Sequence, residues 1–299
     1  MRPTARFRNL LAAPEILVMP GVHDALSAKI AEAEGFQALT MGGFAATGVL
    51  LGEPDTAQLT AIELADHYAR VCDAVSLPVF ADADTGFGNV TNVARTVRLY
   101  ERAGVAGLFI EDQVFPKRCG HMPGKGVIGL EEMLGKLKAA LDARVDADLV
   151  IMARTDALVV EGLEPALERA QRFREAGADL IFVESPRSED EMRRIVAEVG
   201  GLQLANMVEG GLTPPMTAGR LEALGFAAAV WPVAGVFAVA WALKQFYAGL
   251  KRDGGTAGLQ DRMLSFREFT DLVGLPELRE SEQRYLDAAA QLMARRGSS

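Results

Sequence analysis

Two short stretches carry side chains suited to chemistry. In DADTG, Asp82 and Asp84 stand two residues apart, a spacing that turns both to the same side of an extended strand. Two carboxylates held close repel each other, and a hard cation relieves the conflict; Mg²⁺ keeps several of its waters and needs only one or two carboxylates. In KRCGHMPGK, residues 117–125, one of the chain's 2 cysteines and one of its 3 histidines fall in a segment broken by Gly120, Pro123 and Gly124. That much glycine and proline marks a loop. Read alone, Cys119 is either a reactive loop thiol or an inert buried one.

The elements that must hold these residues repeat along the chain. Apolar runs of strand length recur as EILVMPG, QALTMGG, LPVFADAD, AGLFIED, LVIMART, LIFVES, LQLANMV and AAVWPV, eight in all. Between them NVARTVRLYERAG, EEMLGKLKAALDARV and EPALERAQRFREAGA place apolar residues at spacings of three and four, the period of an amphipathic helix. Continuous apolar strands alternating with helices imply a parallel sheet covered on its faces, and eight such units over roughly 250 residues fit a closed (β/α)8 TIM barrel. No GxGxxG follows the first strand, which argues against an open dinucleotide-binding sheet. Residues 1–299 read as one such domain, with a helical tail from about Thr256 that carries SFREFTDLV and PELRESEQRYLDAAAQLMARR.

In such a barrel the active site forms where the strands run out. The third ends in Asp82 and Asp84, the fourth in Glu111 and Asp112, the fifth in Arg154, the sixth in Glu184 and the seventh in Asn206. A strand-end acid is also a common helix cap, so the joint placement with a guanidinium is what points to catalysis. Arg154 can hold a carboxylate in two-pronged fashion and stabilise an oxygen that gains charge; by itself it is equally a buried partner for Glu184 or Asp156.

Composition removes several function classes. Asp and Glu total 40 against 31 Lys and Arg, a net charge of -9, and no basic run offers a nucleic acid a footprint. Two cysteines in a chain this long make no disulfide scaffold, so free thiols and the cytoplasm are expected; Cys72, in HYARVCDAV, reads as core. The N-terminal apolar runs are cut by Asn9, Pro14, Glu15 and Pro20, a poor signal peptide. FAAAVWPVAGVFAVAWAL reads as a buried strand followed by a buried helix rather than a membrane span.

DADTGFGN at 82–89, EDQVFPKRCGHMPGK at 111–125, ARTDA at 153–157 and NMVEGGLTP at 206–214 together resemble the isocitrate lyase and phosphoenolpyruvate mutase superfamily, in order and through almost the whole chain. KRCGH is shared there by 2-methylisocitrate lyases, 2,3-dimethylmalate lyases, plant-type alkylmalate lyases and carboxyphosphonoenolpyruvate mutases, and NMVEGGLTP leans towards the last three. The resemblance implies a barrel dependent on Mg²⁺ or Mn²⁺ that cleaves a C–C bond of a 2-hydroxy di- or tricarboxylate. Cys119, on a loop that closes over substrate, would be the general acid for the enediolate left on the departing acid, and Lys117, Arg118 and His121 would favour the thiolate it becomes. Asp82 and Asp84 would hold the metal directly or through water, with Glu111 behind them. Arg154 would grip the 2-oxo acid, Glu184 and Asn206 would line the substrate's other end, and Thr213 would hydrogen-bond a carboxylate. Gly42 and Gly43 would offer backbone N–H groups to the oxo acid, and Gly120 and His121 complete the set from the loop.

Two departures bear on substrate. Thr40 stands where the methylisocitrate lyase pattern has a tyrosine, and Ala234, in the apolar WPVAGVF, stands where a serine is usual. A tricarboxylate would find few donors there, so a smaller or alkylated malate fits better. The alternatives are a phosphonomutase, an oxaloacetate-cleaving enzyme of the same superfamily, and a barrel that only binds a metabolite, against which the loop thiol argues. The helix VFAVAWALKQFYAGL is apolar round most of its circumference. Together with the resemblance this implies an eighth helix exchanged between paired barrels and a homotetramer.

Overall fold

The computed structural model describes residues 1–122 and 124–296. All eight apolar runs form strands: β1 Leu17–Pro20, β2 Leu39–Met41, β3 Val79–Asp82, β4 Gly107–Glu111, β5 Val150–Thr155, β6 Leu180–Val183, β7 Leu204–Asn206 and β8 Ala228–Trp231. Every ladder is parallel, in the orders β2-β3-β4-β5-β6 and β1-β8-β7. Isolated parallel bridges, Gly21 to Thr40 and Ile181 to Gln203, link the two sheets at both seams. The strands therefore follow one another in the cyclic order of a (β/α)8 barrel.

The helices between strands form for local reasons. Asn89 caps the helix Val90–Arg102 through the Thr91 and Asn92 N–H groups, and Val93, Val97 and Tyr100 bury its inner face at the helical period. Thr60 and Glu63 form a capping box at the start of Ala61–Ala74. That helix carries the half-buried Cys72, whose thiol burial pushes up to about 12.

Alternation along each strand builds the site. Outward residues such as Ala81, Leu108, Ile110, Ile151 and Ile181 pack under the helices in one core cluster. Inward residues Phe80, Phe109, Met152, Phe182 and Leu204 form a second. Two residues further along the same inward rows stand Asp82, Glu111, Arg154, Glu184 and Asn206. The barrel is thus greasy at its base and charged at its rim.

A helix the sequence reading does not contain, Pro3–Leu11, completes that base. Phe7 and Leu11 join the inward cluster, with the Phe7 ring 5.5 Å from that of Phe80. Arg8 reaches the Asp148 carbonyl at 2.9 Å and Asp179 at 2.9 Å.

The chain divides into two compact units, Met1–Ala238 and the segment from Val239 on. The second holds most of the helix Ala234–Asp253, followed by Phe266–Leu272 and Leu275–Arg296. Among the described residues no helix is long and apolar enough to cross a membrane.

Because Phe7 is fully buried against the barrel interior, Phe7→Ala should lower unfolding stability by about 3–5 kcal/mol. A urea midpoint that moves by less than a tenth of that equivalent would show that the N-terminal helix only lies against the base.

Candidate active site

Asp82 closes β3, while Asp84 lies just beyond it at φ 49, in the left-handed region. The two carboxylates still converge, through a turn rather than by strand alternation alone. The Asp84 N–H donates to Asp82 Oδ1 at 2.8 Å, and the Gly43 N–H donates to Asp82 Oδ2 at 2.8 Å. This differs from the expectation for Gly43, whose N–H is engaged by the carboxylate instead of being free for substrate; Gly42 lines the cavity beside it. A Cβ at Gly43 would lie 3.3 Å from Asp82 Oδ2, 3.3 Å from Asp84 Oδ1 and 3.1 Å from Lys117 Nζ. The missing side chain leaves a cradle faced by two acids. From below, the Tyr68 hydroxyl donates to the Asp82 carbonyl at 2.7 Å.

Lys117 bridges this pair to an acid the sequence reading missed. Its Nζ lies 2.6 Å from Asp84 Oδ1 and 2.8 Å from Asp55 Oδ2, all three side chains being buried. Burial opposes the lysine's charge, but Asp84, Asp82 and Asp55 outweigh it and hold its pKa well above the ordinary value. Burial also pushes Asp84 up to about 7, against the pull of Lys117. The motif GEPDT shows Asp55 only as a polar loop residue, and nothing local announces a partner 62 positions away.

Register places the next group. Glu111 of β4 pairs directly with Arg154 of β5, and Arg154 Nε lies 3.2 Å from Glu111 Oε2. Asp156 takes the guanidinium in a fork, Oδ2 accepting from Nε at 2.9 Å and Oδ1 from Nη2 at 3.1 Å. Glu184, immediately after β6, lies 3.2 Å from Nη2. Both partners that the bland reading of Arg154 names are therefore present, in the same cavity as the chemistry. Burial works against the Arg154 charge, yet Asp156, Glu111 and Glu184 hold its pKa well above the ordinary range. The Phe109 and Phe182 rings lie 5.8 and 5.2 Å beneath it. Glu111, fully buried, is driven well upward by desolvation, and its Oε1 has no hydrogen-bond partner among the described residues.

The loop lies over these groups. Gly120 passes so close that a Cβ there would sit 2.4 Å from Arg154 Nη2 and 2.5 Å from Glu184 Oε2, so no larger residue fits without displacing both. Cys119 lines the same cavity. Its thiol is pushed up by burial, with the His121 backbone N–H pulling the other way. This corrects the expectation that Lys117, Arg118 and His121 favour the thiolate: Lys117 is committed to Asp84 and Asp55, and burial keeps His121 below the ordinary histidine range and so neutral. His121 Nδ1 accepts from the Leu212 N–H at 3.0 Å, which leaves the proton on Nε2, 3.5 Å from Glu184 Oε1. Pro123 lies outside the described residues.

Asn206, at the end of β7, donates to Glu184 Oε2 at 3.1 Å, and its Oδ1 is buried without a partner among the described residues. Thr213 Oγ1 is likewise buried and unpartnered, though Thr213 does not line the main cavity. That cavity holds about 670 Å³ of empty space, its mouth included, and is also lined by Phe44, Val208, Pro232 and Val233.

Among the described residues no three His, Cys, Asp or Glu form a metal-ligand cluster. The oxygen donors are of the kind that suits Mg²⁺ or Mn²⁺: two carboxylates converge beside Gly43, with Lys117 Nζ next to them, and a Glu111 oxygen is without a partner among the described residues.

A raised Cys119 pKa has a signed consequence. Thiolate appears only as pH rises through the folded value, so alkylation of Cys119 by iodoacetamide should be slower at pH 7 than for a free cysteine and should climb only at higher pH than a free cysteine requires. Peptide mass spectrometry reads it, and a rate at pH 7 equal to that of glutathione would contradict the buried, protonated thiol.

Residues 7–250 match the family model described as phosphoenolpyruvate phosphomutase. The chain is 48% identical over 285 residues to 2,3-dimethylmalate lyase of Eubacterium barkeri, covering 95% of this chain and 99% of that one. It is 41% identical over 298 residues to 2-methylisocitrate lyase of Aeropyrum pernix, covering 100% of this chain and 96% of the other. A crystal structure of 2,3-dimethylmalate lyase superposes with a TM-score of 0.90 at 35% identity, over 95% of this chain and 96% of that one. Strand order, rim chemistry, motifs and these likenesses agree: the chain belongs to the phosphoenolpyruvate mutase/isocitrate lyase superfamily.

Proposed function

We propose that this chain, a carbon–carbon lyase of its superfamily, cleaves an alkylated malate, or less readily a 2-methylisocitrate, to a 2-oxo acid and a carboxylic acid, with Cys119 as general acid. The observation that carries the reading is one cavity shared by a protonated thiol, a guanidinium and the carboxylates of Asp82, Glu111 and Glu184. A Mg²⁺ or Mn²⁺ ion held by Asp84 and Asp82, directly or through water, with Glu111 behind, would supply positive charge to the oxygens of the 2-oxo acid.

The chain's own residues account for the rest. Arg154 Nη1, the guanidinium nitrogen with no partner among the described residues, binds a substrate carboxylate or the oxygen that gains charge. Once the substrate hydroxyl has lost its proton, the C–C bond breaks and its electrons pass to the departing acid as an enediolate. Cys119 then gives that carbon the thiol proton, and burial, by keeping the thiol protonated beforehand, suits it to this step. The free Oδ1 of Asn206, beside Glu184, orients a hydroxyl or protonated group at the far end.

Phe44, Val208, Pro232 and Val233 set the preference for alkyl groups. A third carboxylate against that wall would be desolvated without donors, at about 2 kcal/mol or more. In a panel assay for 2-oxo acid release, 2,3-dimethylmalate should therefore exceed 2-methylisocitrate in kcat/KM by about 30-fold. Activity should vanish with EDTA and return with Mg²⁺ or Mn²⁺. Cys119→Ser should lose about 100-fold or more in kcat while keeping pyruvate affinity within about threefold. Full turnover by that variant would remove the thiol from the mechanism.

A homotetramer of barrels paired through an exchanged eighth helix is part of the same proposal. It is supported by the exposure of Val239, Trp241, Leu243 and Tyr247 along the helix Ala234–Asp253, Trp241 at 67%, an apolar surface that needs cover. Light scattering at micromolar concentration should give about four times the 32.0 kDa chain mass; a mass of one chain sinks helix exchange.

A further inference from the structure

Arg154 faces three carboxylates, Asp156, Glu111 and Glu184, each with an oxygen within 3.2 Å of a guanidinium nitrogen. An anionic substrate must compete with all of them for one positive charge. Among the described residues Asp156 is the one of the three paired with a second lysine or arginine; Glu184 has only His121, 3.5 Å away and kept neutral by burial. Lys125 Nζ lies 2.6 Å from Asp156 Oδ1, and the lysine side chain is only 3% exposed. The same ammonium donates to the Gly120 carbonyl, and Gly120 is the residue pressed against Arg154 and Glu184.

Asp156 is itself held from behind. Its N–H donates to Asp112 Oδ1 at 2.9 Å, and Asp112 Oδ2 accepts from Thr155 Oγ1 at 2.7 Å and lies 3.4 Å from Arg169 Nη1. Arg169 also donates to the Ile128 carbonyl at 2.8 Å, just past the loop. This fixed carboxylate occupies Nε and Nη2 of Arg154 side-on and leaves Nη1 for a ligand.

We propose that Lys125 and Asp156 are positioning residues for Arg154: Asp156 sets the guanidinium's orientation, and Lys125 offsets the Asp156 charge so that Arg154 keeps its attraction for the anionic 2-oxo acid. The inference rests on the reading of Arg154 as the group that grips that acid. Without Lys125, Asp156 holds the guanidinium harder and the rim becomes one charge more negative, and both changes repel an anion. The electrostatics point the same way: burial raises the Asp156 pKa, but Arg154 and Lys125 more than reverse it, keeping it anionic.

The test is pyruvate binding to the full-length protein with Mg²⁺ present, by calorimetry, for Lys125→Gln, Lys125→Arg, Asp156→Asn and the Lys125→Gln/Asp156→Asn double variant. Glutamine keeps a donor for Gly120 and Asp156 while losing the charge. Lys125→Gln should weaken pyruvate about tenfold and Lys125→Arg less than about threefold. In the Asp156→Asn background, itself about tenfold weaker, removing Lys125 should cost less than about a further twofold, because the charge it offsets is gone. A purely structural lysine would lower the melting temperature without this non-additivity. Wild-type affinity in Lys125→Gln, or the same tenfold loss in both backgrounds, overturns the proposal. Should Lys125→Gln fail to fold, wild-type affinity in Asp156→Asn overturns it equally. If the unsubstituted protein binds no pyruvate, the lyase reading fails, and this inference with it.

Discussion

An excess of buried negative charge at the ends of the strands governs this structure. Asp55, Asp82, Asp84, Glu111, Asp112, Asp156 and Glu184 are all buried there, and among the described residues Lys117, Lys125, Arg154 and Arg169 form ion pairs with them. Burying charge is expensive unless it is paired. With more carboxylates than cations, burial pushes Asp84 up to about 7 and drives Glu111 well upward, so full ionisation of the rim calls for added positive charge, and beside Gly43 Lys117 already supplies part of it. The proposed divalent ion and anionic substrate would favour each other's binding, because each relieves the repulsion that the other would meet.

That demand can exist only because the rest of the barrel is so apolar. The inward rows below the rim, from Phe80, Phe109 and Phe182 to Phe7 at the base, supply burial that outweighs it. They also exclude water from beneath Arg154, which strengthens every electrostatic contact at its guanidinium. Strand alternation couples the two: the register that buries Phe109 and Met152 brings Glu111 opposite Arg154.

This coupling explains what was legible in the sequence. A period of two and an apolar run that ends in a charge are local signals, so Asp82, Glu111, Arg154, Glu184 and Asn206 could be assigned to one rim without coordinates. The pairings could not. Asp55 meets Lys117, Lys125 meets Asp156 and Leu212 meets His121 only after distant loops fold together, and no local pattern encodes a partner. Asp84 illustrates the limit in one residue: alternation puts it on the right side, but its φ of 49 shows a turn, not a strand, doing so. The N-terminal helix escaped notice because PTARFRNLL, with Phe7 and Leu11 as its buried apolar residues, has too few apolar positions for a periodic signal.

The thiol shows why such distant pairings matter for chemistry. Flanking cations in KRCGH make Cys119 look like a ready thiolate, which would be a nucleophile or a base. In the folded chain Lys117 is held by acids, His121 is neutral, and burial lifts the thiol. The thiol therefore stays protonated, the state that its proposed role as general acid requires. Its neighbours in sequence point one way and its neighbours in space the other, and spatial ones set the charge state because electrostatic work depends on distance and solvent, not on chain order. An acid at this position is useful only if the proton stays on until carbanion character develops on substrate, and burial is the chief cause that keeps it there, with Glu184 acting in the same direction.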